Sequence, residues 1–348
     1  MREEAGRHPK LVGAILAGST CVRDPEAPHP PSSDVDIFIF VDAEVPSEIL
    51  EPHGRFAPRK LLFGGVVLEP SFHEARRIAD PETVLGDMHL APLFRQACIL
   101  LDPYGRLKSL AGAVKPEFFR RRHAQRRLAQ ALGPRTPPQG VSDSIHDIPA
   151  LRAPCWRNVG HAFGVARCAF ATLVAGLRYP TIRRCFVVAR EVLNAAGREE
   201  LADELLRLLG SLALSRGEVE ALAREAEQAY DVAVEVRRTP VVMDWNVSCD
   251  ARELERAAIR EMIEAGHHRE ALFQLLLIRT GTQGIIENDG DEEARGLSRV
   301  GYRRLLVALG IDGDESFRAR MQALQSFMPT LREACEAVLA QVPGLAGC

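Results

Sequence analysis

Short apolar runs punctuated by turn residues fill the first hundred positions, and helical spacing takes over beyond them. Leu11–Ala17, Ile37–Val41 and Gly65–Phe72 are bounded by Gly, Pro and Asp clusters, the pattern of strands. A fourth run, Gln96–Leu101, ends at Asp102-Pro103-Tyr104-Gly105, a turn signal. Pro81–Phe94 is expected to be helical or irregular. Asp24–Ser33, which contains Pro25, Pro28, Pro30 and Pro31, is expected to be a loop.

The character changes after Val114. Glu117–Leu132 reads as a basic helix and Gly133–Gly140 as a Pro-rich linker or loop. From Val159 onward, apolar residues recur every three or four positions: Ala162–Gly176, Thr181–Ala196, Glu199–Leu212, Gly217–Val236, Ala251–Ala265 and Arg269–Ile278. Pro180 before Thr181 and Asp250 before the fifth helix are start signals, while Gly197 and Gly266 are stop signals. The expected fold class is therefore α/β (α+β). A mixed-sheet domain would span residues 1–112, and a larger all-helical domain residues 113–348. Within the latter, the basic helix and linker occupy 113–150 and a bundle 151–348.

Composition narrows the function classes. The 348 residues are 46% hydrophobic and 26% charged, with 44 Lys/Arg against 47 Asp/Glu and a formal charge of −3. That excludes a disordered chain and a uniformly basic nucleic-acid coat. None of the eight cysteines forms a C-x-x-C pair, so they read as reduced thiols, most of them buried. Met1-Arg2-Glu3-Glu4 followed by one short apolar run is a poor signal peptide. The best membrane candidate, Ala162–Leu177, is short of the ~20 apolar residues a span needs and carries Arg167 in its middle. A cytoplasmic protein without a membrane partner is expected.

The chemistry is concentrated between Gly18 and Glu69. Ser33-Asp34-Val35-Asp36 is followed by Ile37-Phe38-Ile39-Phe40-Val41. Side chains alternate along a strand, so Asp34 and Asp36 point to one side. Two carboxylates so close repel each other unless a divalent cation sits between them, and hard oxygen ligands suit Mg²⁺. In phosphatases and sugar-nucleotide transferases with an Asp-x-Asp, the apolar strand precedes the acids. Here it follows them, which argues against both. Gly18-Ser19 follows an apolar strand, where amides and the Ser19 hydroxyl can approach a phosphate if a helix begins at Thr20. Glu69 lies within the apolar run Gly65–Phe72 and could supply a third ligand or a general base.

Taken together, Gly18-Ser19, the loop, Ser-Asp-x-Asp with its apolar run and the later strand acid resemble the polymerase-β-like nucleotidyltransferase superfamily. The closest likeness is to its aminoglycoside (small-molecule) nucleotidyltransferase-like branch. Motifs carry the resemblance over roughly residues 10–112, including Ile99–Leu107, and architecture alone carries it beyond. The loop between Ser19 and Asp34 is longer than the family's. The resemblance implies catalysis by Asp34, Asp36 and Glu69, the same three acids holding one or two Mg²⁺ ions. It implies a nucleoside triphosphate, ATP first, held by Gly18, Ser19, Thr20 and Ser33. The reaction implied is transfer of a nucleoside monophosphate to a hydroxyl of a small molecule, an aminoglycoside-like antibiotic among them.

Two rivals remain at this level. One is nucleotidylation of tRNA or of a protein hydroxyl. It draws on seven Lys/Arg (Lys115, Arg120, Arg121, Arg122, Arg126, Arg127 and Arg135) against Glu117 alone in residues 113–140, although the rest of the chain is acidic. The other is an inactive nucleotide-binding regulatory module. A homodimer is compatible with either. His267-His268 with Glu270 reads as first-turn polarity rather than a metal site, and His146-Asp147 as loop chemistry. Trp156, Trp245 and Tyr179 read as core or acceptor-pocket residues. The arginines of Arg178–Arg184 read as helix-start polarity.

Overall fold

This computed structural model describes residues 10–22, 26, 28–42, 60–133, 154–179, 181–238, 247–342 and 345. The chain is mixed α/β, with a five-stranded mixed sheet near the N-terminus and helices over most of the remainder. The strands are β1 (Leu11–Ala17), β2 (Val35–Val41), β3 (Leu61–Phe63), β4 (Val66–Glu74) and β5 (Cys98–Leu101), in the order β3-β4-β2-β1-β5. β2 and β4 run parallel; the other neighbouring pairs are antiparallel. Four strands follow the expected apolar runs. β3 is an addition, folded back on β4 through Gly64-Gly65, whose φ values of 57° and 82° suit glycine at a tight hairpin.

Helices α1 (Pro81–Gly86), α2 (Leu90–Gln96) and α3 (Arg106–Glu117) cover one sheet face. Val12, Ile15, Ala17 and Phe40 from the sheet join Leu85, Phe94, Leu107 and Val114 in one apolar cluster. The Asp80 side chain caps α1 through the Thr83 amide at 2.8 Å, with Pro81 at the first turn.

The expected basic helix is interrupted. α3 ends at Glu117, the chain turns at Phe118-Phe119, and α4 runs Arg121–Leu132. Its arginines divide: Arg121, Arg122 and Arg126 are exposed, and Arg127 is not. Arg127 is buried, donating to the carbonyls of Leu85 and Phe118 at 2.9 Å each, and His123 is buried beside it. Arg122 and Arg126 pair with Glu82 at 3.1 and 3.2 Å. α4 thus ties α1 to the helices that follow.

Those helices are α5 (Pro154–Ala175), α6 (Cys185–Ala195), α7 (Glu199–Leu209), α8 (Arg216–Val236), α9 (Arg252–Glu264), α10 (Leu272–Asp289), α11 (Glu292–Ala308) and α12 (Asp314–Gln341). They share a second apolar cluster, in which α10 is buried from Leu272 to Ile286. Gly197 and Gly266 follow helix ends at φ 66° and 85°, as their stop-signal reading requires. The expected start at Thr181 moves to Cys185, because Ile182-Arg183-Arg184 form a turn. Among the described residues, no helix is long and apolar enough to cross a membrane. Cys168, Cys185 and Cys335 are buried free thiols, whereas Cys98 and Cys249 are exposed.

Candidate metal centre

Three acids meet where β1, β2 and β4 lie side by side. Asp36 is opposite Glu69 in the parallel β2–β4 ladder and opposite Ala17 in the β1–β2 ladder. Paired residues share a sheet face, so the Asp36 and Glu69 carboxylates emerge together. Asp34 lies just before β2. One carboxylate oxygen from each of Asp34, Asp36 and Glu69 falls within 4.8 Å of the others. A hard cation that holds its oxygens at about 2.0–2.6 Å spans ligands about 4–5 Å apart across itself, so this spacing suits it.

Gly18 makes room for this arrangement. A Cβ there would sit 2.0 Å from Asp36 Oδ2, and its φ of 69° is left-handed. Burial, reinforced by the Asp36 charge, pushes the Tyr179 hydroxyl up, and the Gly18 backbone beside it opposes that shift. Gly18–Val22 is a short 3-10 helix, so the condition that a helix begin at Thr20 is not met. Thr20 Oγ1 and Ser33 Oγ both donate to the Asp34 carbonyl, at 3.3 and 3.4 Å, and so shape the backbone beside the acids. The Ser19 side chain lies outside the described residues, as do the side chains of Trp156 and Trp245 and the pair His146-Asp147.

Around the acids stands a charged shell that the sequence reading did not assemble. Arg183 grips Asp34 with both arms, Nη1 to Oδ1 and Nη2 to Oδ2 at 3.0 Å each. Its Nη2 also reaches Glu255 Oε1 at 3.2 Å. Lys60 Nζ lies 3.4 Å from both Asp34 Oδ2 and Glu69 Oε2 and 3.0 Å from Glu255 Oε1. Gln274 Nε2 donates to Glu255 Oε2 at 2.6 Å, fixing that carboxylate. Arg183, read from sequence as helix-start polarity, therefore belongs to the site, and so does Tyr179.

No family model, curated protein or solved structure matches this chain. The site is accordingly read from its own electrostatics. Burial would raise the Asp34 carboxyl, but Arg183 and Lys60 outweigh it and hold Asp34 well below the ordinary carboxylate range. Burial, reinforced by the Asp34 charge, lifts Asp36 to about 6. Burial also lifts Glu69 to about 7, against the opposing pull of Lys60. Glu255 is driven the other way: although burial disfavours its charge, Arg183 and Lys60 keep it ionised. With every group charged, four carboxylates face two fixed cations. One divalent ion would fill that deficit, which is the sense in which these residues fit a metal.

Among the described residues, His267 and His268 join no metal-ligand group. Glu270 is buried and pairs with Arg190 at 2.9 Å rather than with His267 or His268.

Proposed function

We propose that the chain is a divalent-metal-dependent nucleotidyltransferase of the polymerase-β-like type, moving a nucleoside monophosphate, AMP first, from a nucleoside triphosphate to a hydroxyl of a small molecule. The observation that carries this reading is the convergence of Asp34, Asp36 and Glu69 beside the Gly18 turn. Support also comes from the charge deficit of two in the surrounding shell.

A Mg²⁺ bound there would neutralise phosphate charge and help orient the reacting oxygens. The residues of the chain do the rest. Asp34 and Asp36 hold the cation, and the Gly18 turn lets the triphosphate approach its backbone. Glu69 takes the proton from the acceptor hydroxyl. The acceptor oxygen bonds to the α-phosphorus, the bond from that phosphorus to the bridging oxygen breaks, and pyrophosphate leaves with the electron pair. The small-molecule acceptor is preferred over tRNA because Arg122 and Arg126 are paired with Glu82 and Arg127 is buried. The test is pyrophosphate release from ATP, GTP, CTP and UTP across a panel of hydroxyl-bearing acceptors. Release that requires both an acceptor and Mg²⁺, and that is lost in Asp36→Asn, supports the reading. Silence across the whole panel counts against it.

One observation favours a second reading, an inactive nucleotide-binding module: both oxygens of Asp34 are taken by Arg183. Thermal stabilisation by ATP–Mg²⁺ with no pyrophosphate release would select it.

A further inference from the structure

We infer that Arg183 is a positioning residue that competes with the metal for Asp34, and that Glu255 is the carboxylate to which it transfers when the metal enters. This rests on the reading of the site as a metal centre. Three geometric facts carry it. First, the guanidinium fork spans both Asp34 oxygens at 3.0 Å and Lys60 approaches Oδ2 at 3.4 Å, so a cation arriving at Asp34 meets two positive charges already seated there and gains most by displacing an arm of Arg183. Second, the displaced arm has a destination. Nη2 already lies 3.2 Å from Glu255 Oε1, and Glu255 is 1% exposed and fixed by Gln274 from α10. Third, Arg183 sits in the turn before α6 rather than in the helix, so its exchange of partners breaks no helical hydrogen bond of its own.

Exchange of this kind keeps every charge compensated. The ion replaces Arg183 at Asp34, and Arg183 remains paired with Glu255 instead of being left as a buried free charge, which would be strongly unfavourable. The charge removed from Asp34 is restored by the metal. Lys60 stays between Glu69 and Glu255 throughout. The helical part of the chain would then register metal loading at the sheet through one side chain.

The test is Mn²⁺ binding to the full chain, by calorimetry and by the loss of the free-ion electron paramagnetic signal, in wild type, Arg183→Lys and Arg183→Met. Thermal melts check folding. Lysine keeps the charge but lacks the fork. Competition for Asp34 therefore makes R183K bind Mn²⁺ more tightly than wild type, by about tenfold from the lost charge-assisted hydrogen bond, and R183M more tightly still. A purely long-range electrostatic effect leaves R183K equal to wild type, and a purely structural role weakens binding in both variants. Either result overturns the inference while leaving the metal centre standing. Absence of Mn²⁺ binding in wild type and both variants overturns the inference and the metal centre together. Binding in a variant but not in wild type supports the inference in its strongest form.

Discussion

Asp34 and Asp36 share a sequence motif but not an environment. Asp34 is held charged by Arg183 and Lys60, while Asp36 is pressed toward its neutral form by burial and by Asp34. Replacing Asp36 by Asn removes a ligand charge and a repulsion together. The expected result is unchanged or slightly higher stability in urea and, on the proposed function, a loss of about 10²-fold or more in nucleotidyl transfer. Gly18→Ala should abolish transfer as well, but by displacing the Asp36 carboxylate, and with a measurable fall in stability. Lys60 is a different case. Its ammonium is buried among three carboxylates, so Lys60→Met should lower unfolding free energy by about 3–5 kcal/mol, read from urea titration.

At the scale of elements, most of the scaffold was legible and most of the shell was not. β1, β2, β4 and β5 could be read because apolar runs end abruptly at Gly, Pro and Asp. The ladder then placed Asp36 opposite Glu69, a pairing no linear spacing reveals. β3 was missed because three exposed apolar residues are too few to make a pattern, yet this strand leads directly from Lys60. Its hairpin gives an element-level prediction. Gly65→Ala meets no atom within 4 Å, but its φ of 82° should make the change cost about 1–2 kcal/mol, seen as a lower urea midpoint. Glu255 carried a legible signal: on α9 it lies on the buried stripe with Leu254, Ala258 and Met262, where a charge demands a partner. Arg183 carried none, since a turn arginine beside a helix start is ordinary polarity until tertiary structure points it at Asp34.

For the molecule as a whole, two histidines, His161 buried and His73 half-buried, add a pH dependence to that of the acids. Burial, reinforced by the nearby Arg77 and Arg320 charges, lowers His73 and His161 from the ordinary 6.5 to about 4 each. Below 6.5 the unfolded chain takes up protons that the folded chain refuses. The histidines' share of the stability is therefore fully present above that pH and declines as pH falls toward 4, while Asp36 and Glu69, lifted to about 6 and about 7, contribute the opposite slope; the histidine share is the difference in slope between wild type and His161→Phe in urea unfolding at stepped pH. The whole-molecule claim is that sheet and helical parts meet around one cation site, with Arg183 and Glu255 supplied from beyond the sheet. The most direct measurement is a calorimetric titration of the full chain with Mn²⁺, wild type beside Asp36→Asn. Saturable uptake of one or two ions by wild type, lost in the variant while its melting curve is preserved, is the predicted result. Equal uptake by both proteins, or none by wild type together with none by the Arg183 variants, would contradict the account.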